Sequence, residues 1–279
     1  MSIFGFALNE YVDFEIDRAS SDLAAKPLVK GSVPKNHALI IAWGSLIVAC
    51  VLAISFFSNL LALTVFTICI ALAGVYDLVG KRLTGVDFLL GGWAFFFCLF
   101  GCYAVVSSTN FLGYAFALLF LLQWWYANIV EGGVKDADHD FAVGAKTTTT
   151  FWNVRVNGKK LLIPSSYKIF GLVLTVAYIC MAWLPFAFSI LAPQFWQLGV
   201  LLLLCGLIIY AVTKFLSVRK FKRDVLLKYI LINELSKAFI PPIILVSLIG
   251  ISAIFMIIFI VVWSGIFMTL EYGASPPTI

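Results

Sequence analysis

The sequence predicts an all-α polytopic membrane protein, a bundle of seven complete transmembrane helices preceded by the end of another. Three observations lead there. Of 279 residues, 62% are apolar and only 12% charged, against about 45–50% and about 25% in soluble domains. The apolar residues gather into runs long enough to cross a hydrocarbon core, which takes about 20 residues of helix. The joints between those runs alternate between uncharged and basic. So few charges argue against nucleic-acid binding, and the 26 Phe exclude a disordered chain. Residues 1–279 are expected to form one membrane-embedded domain.

In chain order the expected spans are residues 37–57, 60–78, 88–106, 111–130, 169–190, 198–216 and 239–270. The last exceeds one crossing, and Pro241-Pro242 are read as marking its entry. Residues 58–59, 107–110 and 191–197 carry no charge, whereas 18–36, 81–87, 135–168 and 214–237 together hold all 19 Lys and Arg. Seven spans therefore put every basic joint on one side of the bilayer, which the positive-inside rule assigns to the cytoplasm. The chain is expected in the cell membrane, with its tail from Glu271 onward outside. The span centres, as drawn, hold no ionisable residue. That speaks against a transporter, in which mid-bilayer charges are common despite a cost of about 2.5–3.5 kcal/mol each. Cys50, Cys69, Cys98, Cys102, Cys180 and Cys205 all fall in apolar runs without a CxxC pair, so they read as packing residues. Trp124-Trp125-Tyr126 and Phe95-Phe96-Phe97 read as packing or lipid-facing aromatics.

The acids carry the chemistry. Thirteen of fourteen fall on the basic side, most of them in two clusters. Asn9, Asp13 and Asp17 are spaced i, i+4, i+8, which puts them on one helix face about 6 Å apart along the axis. Asp136 and Asp140 repeat the i, i+4 spacing just past the fourth span, while Asp138 points elsewhere on a helix, unless Gly132-Gly133 make the segment irregular. Rows of like charge destabilise a helix unless something neutralises them. Oxygen-only ligands favour Mg²⁺, Mn²⁺ or Ca²⁺, and Mg²⁺ takes one or two carboxylates and fills its shell with water and phosphate oxygens. Two facing rows thus suggest a diphosphate held between two Mg²⁺ ions. Lys81 ends the second span on the same side, and Lys26, Lys30 and Lys146 flank the acidic rows. Cations placed there could stabilise a leaving group, Lys81 best of all. Asn128, inside the fourth span, is a candidate for positioning an acceptor.

The run Asn9-Glu10-x-x-Asp13-x-x-x-Asp17-Arg18 followed by Lys26-Pro27-Leu28 resembles the first Asp-rich motif of the UbiA superfamily of intramembrane prenyltransferases. Tyr76 to Lys81 is similar to that family's Tyr-x-x-x-x-Lys element. Asp136-x-x-x-Asp140 with Gly144-Ala145-Lys146-Thr147 resembles its second Asp-rich motif, in the variant of archaeal-type members. The likeness covers essentially the whole chain, with two spans between successive motifs. It implies a nine-helix fold and Mg²⁺-dependent transfer of a prenyl group from a prenyl diphosphate to a hydrophobic lipid or aromatic acceptor, through an allylic cation. It also implies that Asn9, Asp13 and Asp17 hold one ion and Asp136 and Asp140 another. Lys81 and Tyr76 would contact the diphosphate, with Arg18 and Lys146 as weaker candidates and Lys26 serving either substrate or topology.

Several positions depart from the pattern. Glu10 stands where the family usually has Asp, Gly133 where many members have an acid, and Thr147-Thr148-Thr149-Thr150 where Thr-Leu-Pro is more frequent. Only eight residues precede Asn9, about 12 Å of helix. The family's first helix and most of its second therefore have no counterpart, and an upstream segment or a second polypeptide is expected to supply them. Two other readings compete. A CDP-alcohol-type membrane phosphotransferase would show its acids in one compact Asp-Gly/Ala-Arg motif, which does not occur here. A non-catalytic membrane protein retaining the acidic motifs would follow if the N-terminal loss were real.

Overall fold

The computed structural model of the chain describes residues 2–18, 26–106 and 108–272. Asp22 and the tail from residue 273 lie outside them. Helices α1 (Ser2–Arg18), α2 (Lys35–Phe56), α3 (Leu60–Val79), α4 (Phe88–Val105) and α5 (Phe111–Trp125) come first. Helix α5 runs on through a π-helical stretch, Tyr126–Gly132, into the short α6 (Gly133–Lys135). Then come α7 (Ala137–Ala142), α8 (Thr148–Phe151), and a hairpin of β1 (Arg155–Asn157) and β2 (Lys160–Leu162). Helices α9 (Ser165–Ala187), α10 (Phe195–Leu216), α11 (Arg223–Ile249) and α12 (Ser252–Tyr272) complete the chain. Among the described residues seven helices are long and apolar enough to cross a membrane: α2, α3, α4, α5 with its extension to Lys135, α9, α10 and α11.

The uncharged joints are tight for a local reason. The Asn59 side chain accepts from the Leu61 N–H at 2.9 Å, and the Asn110 side chain accepts from the Gly113 N–H at 3.1 Å. Each satisfies one of the donors a helix start leaves free. Small residues carry the packing of α2, which buries Ala38, Ala42 and Ala53 while Ile40, Trp43, Ile47 and Ile54 stay exposed. Such an outward apolar face is one a bilayer would cover. The main core joins α5, α9, α10 and α11 through Tyr126, Tyr167, Tyr178, Ile208, Phe215 and Ile240.

The final span differs from expectation in two respects. Helix α11 begins at Arg223 and passes through Pro241-Pro242 rather than starting there. Proline lacks an N–H, so Pro241 leaves the carbonyl four residues back without its helical donor; the Tyr178 hydroxyl donates to that carbonyl, Lys237 O, at 3.0 Å. A neighbouring side chain thus stands in for the lost bond. The apolar run then breaks at Gly250, whose φ of 56° few side chains tolerate, and α12 follows. The expected final span, residues 239–270, is thus divided between two helices.

The span centres are not free of charge either. Lys237, the last residue of the expected basic joint 214–237, lies midway along α11 with no exposure at all. Its ammonium donates to Glu234 Oε1 at 3.2 Å and sits 3.8 Å over the Tyr126 ring.

Candidate active site

Helix α1 presents its acidic row to the turn after α3. Asp13 and Asp17 are both buried, Asn9 is half-buried and Arg18 exposed. The end of α3 carries Lys81 into the gap between the two acidic motifs. Its ammonium lies 3.1 Å from Asp13 Oδ2 and 4.0 Å from Asp140 Oδ1. Lys26 closes the other end of the row, donating to Asp17 Oδ2 at 2.8 Å and to Glu10 Oε1 at 2.7 Å. The two motifs, more than 120 positions apart in the chain, therefore meet over one cation.

The second motif is shaped by a change of helix type. The π-helical stretch and the non-helical Asp136 (φ −101°, ψ 6°) interrupt the run from α5 into α7. Asp140 is turned inward and buried, Asp136 is half-buried, and Asp138 points away, as its spacing predicts. Asp138 meets the Arg223 guanidinium at 3.1 Å, so it braces α7 against α11. Lys146 is exposed; its backbone N–H donates to the Lys81 carbonyl at 2.9 Å and ties the second motif's loop to the Lys81 turn.

Beside this mouth, the Tyr76 hydroxyl donates to Asn128 Oδ1 at 2.9 Å, and Asn128 Nδ2 reaches the Asp87 carbonyl at 3.4 Å. Tyr76, Asn128 and Lys81 thus belong to one neighbourhood. Asp87 has no part in the sequence-based site. It is buried and accepts from the Thr148 N–H at 2.7 Å, docking the threonine run on the start of α4. Nor does Glu131 belong to the sequence-based site. It is buried on the π-helical stretch and accepts from Asn233 Nδ2 of α11 at 2.8 Å. An acid at the entry of one span and another at the exit of a second were the only sequence signals for this pair.

The charge balance leaves room for a cation. Asp13 and Asp140 share one ammonium, and Asp140 Oδ1 is buried with no hydrogen-bond partner. Burial pushes the Asp140 carboxyl up to about 6, against the pull of Lys81. Burial also works against the Lys81 ammonium, but Asp13 and Asp140 outweigh it and hold its pKa above the ordinary lysine value. Among the described residues no three acidic, His or Cys side chains form a ready-made metal cage. The donor set still fits Mg²⁺, which needs only one or two protein carboxylates when phosphate oxygens complete its shell.

A sequence model described as the UbiA prenyltransferase family matches residues 1–232. Digeranylgeranylglyceryl phosphate synthase of Thermococcus sibiricus is 28% identical over 191 residues, covering 65% of this chain and 60% of its own. The chain spans between about a third and three fifths of the length of the curated relatives it matches. In fold it is similar to a UbiA homolog from Aeropyrum pernix K1, with a TM-score of 0.64 and 15% identity over 89% of this chain and 86% of that one. It also resembles a UbiA homolog from Archaeoglobus fulgidus, a structure bound to GPP and Mg²⁺, with a TM-score of 0.53 and 17% identity over 86% and 82%.

Proposed function

This chain belongs to the UbiA prenyltransferase family, and on that footing we propose that it transfers a prenyl group from a prenyl diphosphate to a hydrophobic lipid or aromatic acceptor at the membrane surface. The single observation that supports this most is Lys81 standing between Asp13 and Asp140. One cation facing two carboxylates of separate motifs marks a mouth where more positive charge, and with it a diphosphate, is favoured. In this reading Asn9, Asp13 and Asp17 hold one Mg²⁺, and Asp136 and Asp140 hold a second. Bound there, the ions would supply positive charge against the diphosphate oxygens and so favour its departure.

The chain's own groups do the rest. Lys81 rotates from the carboxylates onto the diphosphate, where its charge stabilises the leaving group. Tyr76, fixed by Asn128, orients the diphosphate beside it. The bond between the prenyl C1 and the diphosphate oxygen breaks with both electrons leaving on oxygen. The allylic cation then takes an electron pair from the acceptor, which releases a proton. Water would capture that cation, so the transfer requires an apolar, water-free environment for the prenyl chain below the charged mouth. Basic joints and site share one side, which we assign to the cytoplasm.

The test incubates membranes carrying the chain with radiolabelled geranylgeranyl diphosphate and a panel of acceptors, with and without Mg²⁺. Product should require the metal and should fall by about two orders of magnitude or more in Asp13→Ala and Asp136→Ala. Asp224→Ala, on an exposed residue of the first turn of α11, should leave it unchanged. Asp22→Ala is the alternative control, although Asp22 lies outside the described residues. Equal activity in all these variants would remove the assignment.

A further inference from the structure

Next to the site, and separate from it, lies a basin lined only by cationic and amide side chains. The hairpin pairs Asn157 with Lys160, and the segment joining α10 to α11 adds a third extended edge. The Leu161 N–H donates to the Arg219 carbonyl at 2.9 Å, and the Phe221 N–H donates to the Lys159 carbonyl at 2.9 Å. This pairing sets Lys160 directly opposite Lys220. Asn157, Lys159, Lys160, Arg219 and Lys220, all exposed, line a shallow basin of about 410 Å³ that is open to the surface. Among the described residues none of the four cations is paired with a carboxylate. Asp224, the acid nearest in sequence, is outside the lining.

Like charges placed directly across a ladder destabilise it. Here backbone hydrogen bonds on either side hold the two lysine backbones opposite one another, so the ammoniums can part only by splaying their side chains, and an anion between them would neutralise both. The basin's depth says which anion. Arg219 follows the last residue of α10 by three positions, and Lys220 precedes the first residue of α11 by three. Three residues span at most about 11 Å, and each headgroup layer of a bilayer is about 5–8 Å deep. With α10 and α11 crossing the membrane, Arg219 and Lys220 lie within about 11 Å of the ends of those helices, in or just outside the headgroup layer, and the strand pairing holds Lys159 and Lys160 beside them.

We propose that this basin binds the phosphodiester headgroup of an anionic phospholipid, with Lys160 and Lys220 on the phosphate and Lys159 and Arg219 beside them. A soluble phosphate would meet the same cations but gain nothing from their depth. Because β1 packs against α7, the bound lipid braces the helix that carries Asp140.

Native mass spectrometry of the full chain in detergent, with phosphatidylglycerol or phosphatidylcholine added, tests this. A cation near an anionic leaflet contributes about a fivefold preference. The chain should therefore retain phosphatidylglycerol at least tenfold over phosphatidylcholine, and glycerol phosphate should not displace it. Lys160→Gln/Lys220→Gln should lose at least fivefold of that preference while its melting temperature in phosphatidylcholine stays equal to or above that of the parent chain, whereas Lys214→Gln/Lys228→Gln should keep it. If the Gln pair unfolds, Lys160→Arg/Lys220→Arg serves instead and must keep the preference. Undiminished preference in the folded Gln pair, equal loss in the control pair, loss in the Arg pair, or displacement by glycerol phosphate would each overturn the proposal.

Discussion

A Cβ at position 133 would land inside the Thr149 side chain, whose hydroxyl donates to the Ile129 carbonyl at 3.0 Å and meets the Tyr167 hydroxyl at 3.1 Å. The missing acid at 133 and the threonine run are therefore one departure from the family pattern, because Thr149 fills the space a side chain there would need. We expect Gly133→Ala to lower the melting temperature by the equivalent of about 1–3 kcal/mol. Adding Thr149→Gly should recover part of it, and a strictly additive double variant would contradict the contact. Lys81 is the other decisive single residue. Lys81→Met leaves two buried carboxylates facing each other without a counter-ion, and turnover should fall about a hundredfold or more in the prenyl-transfer assay. The i, i+4 spacing made Asp13, Asp17, Asp136 and Asp140 legible in the sequence. Asp87 and Glu131 were not, because their partners Thr148 and Asn233 lie 61 and 102 residues away and no local pattern announces them.

Among the elements, α2 to α5, α9 and α10 were readable from apolar run length to within a few residues at most ends, since a bilayer imposes that length directly. Helix α11 was not. Its prolines read as a boundary because proline normally costs a helix a hydrogen bond, and only the fold supplies Tyr178 as the substitute donor. Tyr178→Phe should leave the Lys237 carbonyl buried without a donor and destabilise the protein by about 1–3 kcal/mol, measured by thermal unfolding in detergent. An unchanged melting temperature would mean the helix tolerates its prolines by other means. The same helix holds Lys237 against Glu234 and the Tyr126 ring, while Asn233 donates to Glu131 at 2.8 Å and to Glu234 at 3.2 Å. This network ties α11 to the π-helical stretch that precedes the second motif. Lys237→Met alone should cost about 3 kcal/mol or more, because it strips the counter-ion from a partly buried acid. Lys237→Met/Glu234→Gln should recover part of that loss in the same unfolding experiment.

At the scale of the molecule, charge segregation did most of the predictive work. Joints that alternate between uncharged and basic predict that the motifs share a surface, and the structure brings Asp13 and Asp140 to the same ammonium. What segregation could not reveal was the turn at Gly250 that adds α12, since a continuous apolar run hides a break made by one backbone angle. The central claim is that two acidic rows form one cation-binding mouth for a diphosphate. Electron paramagnetic resonance of Mn²⁺ bound to the purified chain, with and without a non-reactive prenyl thiolodiphosphate, addresses it directly. Mn²⁺ should bind weakly alone and more tightly once the analogue is present, and the gain should vanish in Asp13→Asn and in Asp140→Asn alike. An analogue-dependent gain that survives either substitution would mean that the two rows do not share a ligand.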